Sequence, residues 1–129
     1  MIQLRKKDYL QRIIEEFFSK IYDVINGKNL DRDEGMNQLQ KCFDLFRSNF
    51  DIKITDQAET IISKMSDVSL LDQYAQLLVL KFQLLDLKEA DELETALNII
   101  NYIDVTDRSY SWNRSVLKQD ILRLLSTTN

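Results

Sequence analysis

Proline is absent from this chain, and glycine occurs only at Gly27 and Gly35. Sheets need turn residues every few positions, so this scarcity over 129 residues predicts long helices with few connections. Within that constraint the most apolar stretch, Leu70 to Leu87 (LLDQYAQLLVLKFQLLDL), reads as a buried helix around which the others pack. At about 100° per residue, Leu70, Tyr74, Leu77, Leu84 and Leu85 cover one side, and Leu71, Leu78 and Phe82 widen it. The polar strip of Asp72, Gln76, Gln83 and Asp86 is narrow and is interrupted by Val79. A helix apolar over this much of its circumference is normally surrounded by other helices.

Five further segments follow the helical period. From about Lys7 to Ile25, residues Leu10, Ile13, Ile14, Phe17, Phe18, Ile21 and Ile25 form an apolar face opposite Arg12, Glu15, Glu16, Ser19, Lys20 and Asp23. That polar face is mixed in sign, which favours a core stripe over a membrane-surface helix. Asn26-Gly27 supplies a left-handed stop. A second helix begins near Asp31 or Asp33, with Asp31 and Glu34 placed as a capping box. Met36, Leu39, Phe43, Phe46 and Phe50 give it a narrow seam, so the first two helices are expected to form an antiparallel hairpin. Phe50, Ile52 and Ile54 alternate in an extended connector, and Thr55 is placed to cap a third helix carrying Ala58, Ile61, Ile62 and Met65. Ser69 is the expected cap of the central helix, which ends in a tight link at Leu87 to Glu89. The fifth helix buries Leu93, Ala96, Leu97, Ile100 and Ile103, and carries Asp91, Glu92 and Glu94 at its positive end. After a polar turn at Asp104 to Asp107, capped by Asp107 or Ser109, a sixth carries Tyr110, Leu117, Ile121, Leu124 and Leu125, fraying from Ser126 to Asn129.

Charge is uneven: residues 1–20 carry +2, residues 51–107 carry −8 and residues 108–129 carry +3. An acidic middle argues against a nucleic-acid binder, which needs a contiguous cationic face. The run Leu77 to Leu80 is too short to span a bilayer, and the basic N-terminus has no apolar run behind it. With the single Cys42, these features point to a cytoplasmic protein with no membrane contact.

The absence of histidine removes Ser-His-Asp and Cys-His catalysis and histidine metal sites. A calcium loop starting at Asn29 would need glycine at its sixth position and glutamate at its twelfth, where Glu34 and Gln40 stand. The carboxylates Asp86, Glu89, Asp91, Glu92 and Glu94 fit a solvated, dipole-matched helix start. No nucleophile–base pair is present, so neither an enzyme nor a cofactor or metal site is expected.

The segment LLDQYAQLLVLKFQLL followed by ADELETALNIINYID resembles a tetratricopeptide helix-turn-helix unit, with Ala96 as the small residue where its helices touch. RSYSWNRSVLKQDILRLL would open a following unit. The family's turn proline is replaced by Val105 to Asp107, and its tryptophan and glycine in the first helix are missing. With KKDYLQRIIEEF at the start, the whole chain is similar to small uncharacterised bacterial proteins with tetratricopeptide-like helices. The resemblance implies partner binding on a helical surface.

The expectation is therefore an all-α domain over residues 1–129, with a helical hairpin in 1–50 and tetratricopeptide-like, solenoid character in 55–126. Its expected role is a non-catalytic protein–protein interaction module or small scaffold, self-associating or binding another protein. The competing reading is a small-molecule-sensing or regulatory domain with a pocket between the fourth and sixth helices. Two residues break local rules and become candidates. Lys81 points into the apolar side of the central helix, so it must reach water or meet a carboxylate. Trp112 lies about 140° from Leu117 around its helix, near Arg108 and Arg114, and tryptophan and arginine are common at interaction hot spots.

Overall fold

The scarcity of breakers is realised as six helices in a computed structural model that describes residues 4–86 and 89–128. They are α1 (Leu4–Ile25), α2 (Arg32–Phe50), α3 (Ala58–Lys64), α4 (Val68–Leu85), α5 (Asp91–Thr106) and α6 (Trp112–Ser126). Helix takes 79% of the described residues, and no strand occurs among them. None of these helices is long and apolar enough to cross a membrane.

Helix ends follow from local chemistry. Gly27 adopts φ +79° just past α1, as the Asn-Gly pair predicts. The Asp31 carboxylate accepts from Glu34 N at 3.2 Å, but the return half of the box is not made. Asp31 N donates to Asn29 Oδ1 instead, and the Glu34 carboxylate takes Gln38 Nε2. Three caps differ from expectation. Gln57, with no side-chain bond, precedes α3 in place of Thr55, and Asp67 caps Leu70 N of α4 in place of Ser69. Asp67 also pairs with Lys7 of α1 at 2.8 Å, a tertiary contact that Ser69 could not make. Ser111, and neither Asp107 nor Ser109, caps α6. Accordingly α5 runs through the expected turn to Thr106, and Tyr110 lies outside α6. Beyond Ser126, where α6 ends, the hydroxyls of Thr127 and Thr128 donate to Leu124 O and Leu125 O. Leu87 and Lys88 of the expected tight link, and Asn129 at the end, lie outside the described residues.

The central position of α4 is realised. It packs most extensively on α5, then on α1 and α2, and touches α6. Leu70, Leu71, Tyr74, Leu77, Leu78 and Phe82 are buried. So is Val79, which lies at the interruption of the polar strip. One hydrophobic cluster draws on all six helices, from Ile14 of α1 to Ile121 of α6. On α5 the buried stripe is turned toward Ile99, leaving Leu97 half-buried against expectation. Gly35 has a structural task here. A Cβ at this position would lie 3.1 Å from Val24 Cγ2, so its absence lets α2 close against α1.

Candidate functional site

Two surface features stand out against this core. The first is the corner between α5 and α6. Arg114, in the first turn of α6, is only 7% exposed. Its Nε donates to Asp104 Oδ1 at 2.8 Å and its Nη2 to Ser109 O at 2.8 Å. Lys118 Nζ reaches Asp104 Oδ2 at 3.4 Å. Ser109 N donates to the Asp107 carboxylate at 3.0 Å, and this backbone bond holds that carboxyl below its usual pKa. The link is thus fixed from both ends. The corner presents Val105 near the end of α5, Tyr110 in the link and Trp112 at the start of α6 outward, at 74%, 76% and 69% exposure. Val116, one turn after Trp112 on the same face of α6, is also exposed.

The structure separates the sequence candidates at this corner. Trp112 and Arg108 are surface residues. Arg114 is not: its guanidinium is engaged within the fold, so it positions the corner and does not present itself to a partner. Sequence reasoning passed over Tyr110, which it assigned to the α6 stripe, and Val105. Tyr110 stands seven residues before Leu117, a helical spacing that places it on the stripe, and no signal in the sequence singles out Val105. Asp104→Ala should cost about 1–3 kcal/mol, because it leaves a buried guanidinium without its carboxylate. Lys118→Ala should cost less than about 1 kcal/mol, since its bond to the same carboxylate is long and exposed. Urea unfolding of the two variants checks the order.

The second feature is a groove between α2 and α4 of about 420 Å³, with residues 52–54 as a further wall. Leu39, Phe43, Ile52 and Leu85 give it apolar walls, and Met36 and Ile54 stand half-exposed at its lip. Met36 and Phe43 were expected within the helix-pair seam; instead this part of the α2 stripe faces the groove. The wall at 52–54 is tied down by Asp56, whose Oδ2 accepts Lys53 N and Lys64 Nζ, both at 2.9 Å. Those two bonds hold the Asp56 carboxyl below the usual range. Lys64 Nζ also donates to Asp51 O at 2.7 Å.

Lys81 lines this groove and meets the carboxylate that its position demanded. Its Nζ lies 2.6 Å from Glu92 Oε1 of α5 and 5.8 Å from the centre of the Phe43 ring. The ammonium is therefore stabilised by an ion pair and by the face of an aromatic ring. Sequence reasoning identified Lys81 but not Glu92, which it placed among solvated carboxylates, and not the part of α2 in the wall.

A pocket was expected between the fourth and sixth helices. One cleft among the described residues takes in both α4 and α6; it is polar and is lined chiefly by α1 and α4, with Asn113 from α6. Gln73 Nε2 donates to Gln11 O there at 3.3 Å, and burial raises the Asp72 carboxyl against the opposing pull of Arg114. Cys42 is fully buried, and desolvation pushes its thiol up to about 12, so it stays protonated at neutral pH. Among the described residues no three Cys, Asp or Glu side chains are grouped to hold a metal ion.

The chain matches no known protein family, no curated protein and no solved structure.

Proposed function

We propose that this chain is a non-catalytic protein-interaction module whose contact surface is the corner between α5 and α6. The observation that carries the reading is the exposure of Tyr110 and Trp112 on a link held by the buried Arg114. Aromatic side chains on a rigid mount lose little conformational freedom on binding, and each removes a large apolar area from water. Arg108 adds a cation with five hydrogen-bond donors beside them. The tetratricopeptide resemblance of residues 70–104 supports the same reading, since stacked helix pairs offer extended surfaces to partners. The partner is a second copy of this chain or another protein.

Capture of partners on the immobilised protein, with the mass of the free protein by light scattering, tests the proposal. Trp112→Ala should weaken capture or self-association by about tenfold or more and leave the melting temperature nearly unchanged. If the variant unfolds, or binds as the original does, the corner is not the contact surface. A second reading, a ligand-sensing domain, is favoured by the groove between α2 and α4, whose volume lies within the usual range for small-molecule sites.

A further inference from the structure

We infer that the groove between α2 and α4 is a binding site for a small amphipathic anion, an apolar body carrying a carboxylate. The inference rests on the ligand-sensing reading and names its ligand class; it is independent of the corner at Trp112, which shares no residue with the groove.

Three observations converge. The volume of about 420 Å³ suits a small ligand, and Leu39, Phe43, Ile52 and Leu85 would take its apolar part out of water. The ionic groups facing the groove are three cations, Arg47, Lys53 and Lys81, against one carboxylate, Asp44. They are not equally engaged. Arg47 pairs with Asp44 at 2.9 Å, and Lys81 gives one N–H to Glu92 and keeps two more. Lys53 Nζ makes no ion pair among the described residues and feels the Asp56 carboxylate only at longer range, so it is the cation at the mouth with no direct anionic partner. Finally, the Lys53 backbone is fixed by Asp56, which holds that ammonium's anchor in place beside the apolar walls. A carboxylate at the mouth meets Lys53 directly and can accept a remaining Lys81 N–H. An ammonium ligand would meet like charge, and a neutral ligand would leave Lys53 unpaired.

The test uses the whole protein and the fluorescent apolar anion anilinonaphthalene sulfonate, displaced by decanoate, decylammonium or decanol below their aggregation limits. Decanoate should displace the dye at about tenfold lower concentration than either of the others. Lys53→Glu should weaken decanoate by about tenfold, and Ile54→Asp, at the exposed lip, should abolish it. Both are surface changes, and unchanged melting temperatures would show that the fold is kept. If decylammonium or decanol binds as well as decanoate and Ile54→Asp abolishes it, the groove is a ligand site but the anion assignment fails. If no small ligand binds, or only an amphipathic peptide displaces the dye, the ligand-sensing reading fails with it. Decanoate binding that ignores both substitutions lies elsewhere and overturns the inference.

Discussion

Phe46→Ala should lower the free energy of unfolding by about 3–5 kcal/mol, the range found when a buried aromatic is truncated. Phe46 is fully buried on the inner face of α2. Its ring meets that of Tyr74 on α4 edge-on, with centroids 5.0 Å apart and planes at 78°. Tyr74 receives Phe43 in the same manner at 6.0 Å, and Phe46 also tilts against Phe50 at 6.4 Å. Edge-to-face pairs contribute about 0.5–1.5 kcal/mol beyond the area they bury. Alanine would remove the contact joining α2 to α4 and leave a void too deep for the ring of Tyr74 to fill without moving off Phe43. Denaturant unfolding followed by far-ultraviolet circular dichroism measures the loss. A value below about 1 kcal/mol would mean that α2 is held by other contacts.

Leu78→Ala should cost about 2–5 kcal/mol, the transfer energy of the lost methyls and methine plus that of the cavity they leave. Leu78 is 2% exposed in the middle of α4, between the buried Leu77 and Val79. Because α4 is surrounded by α1, α2, α5 and α6, no single neighbour can move into the void without leaving its own contacts. The same unfolding experiment applies. A loss below about 1 kcal/mol would remove α4 from the centre of the molecule.

The parts of the fold legible in the sequence are those where one signal dominates. Along α1 the expected apolar residues recur at helical spacing; Leu10, Ile14, Phe18 and Ile21 are buried, and Ile13, Phe17 and Ile25 flank them half-buried. The apolar girth of α4 announced its central place. What escaped was decided by tertiary contacts. Ser66, Asp67 and Ser69 can all cap a helix, and the ion pair from Lys7 accompanies the cap at Asp67. The extension of α5 through Asp104 accompanies the pairing of that carboxylate with Arg114 and Lys118, both beyond the turn. Asp51 and Asp86 end α2 and α4 with φ of 56° and 52°, where a glycine would have been the legible signal. Site residues divide in the same way. Trp112 broke the period of α6 and was found, whereas Arg114 has the composition of a surface residue and is buried by a partner ten residues back. Lys81 was visible as a charge on an apolar face, but the groove beside it depends on how α2 and the connector at 52–54 are placed.

Trp112 is the only tryptophan, so its fluorescence reports directly on the corner proposed to bind a partner. In dilute solution its emission should be red-shifted, as for an indole in water, and readily quenched by iodide. On self-association at high concentration, or on addition of a captured partner, the emission should shift to the blue and the quenching fall. Blue, poorly quenched emission from the dilute free protein would contradict the account, because the indole would then be part of the fold. Red, quenchable emission that persists in the bound state would contradict it as well, by placing the contact surface elsewhere.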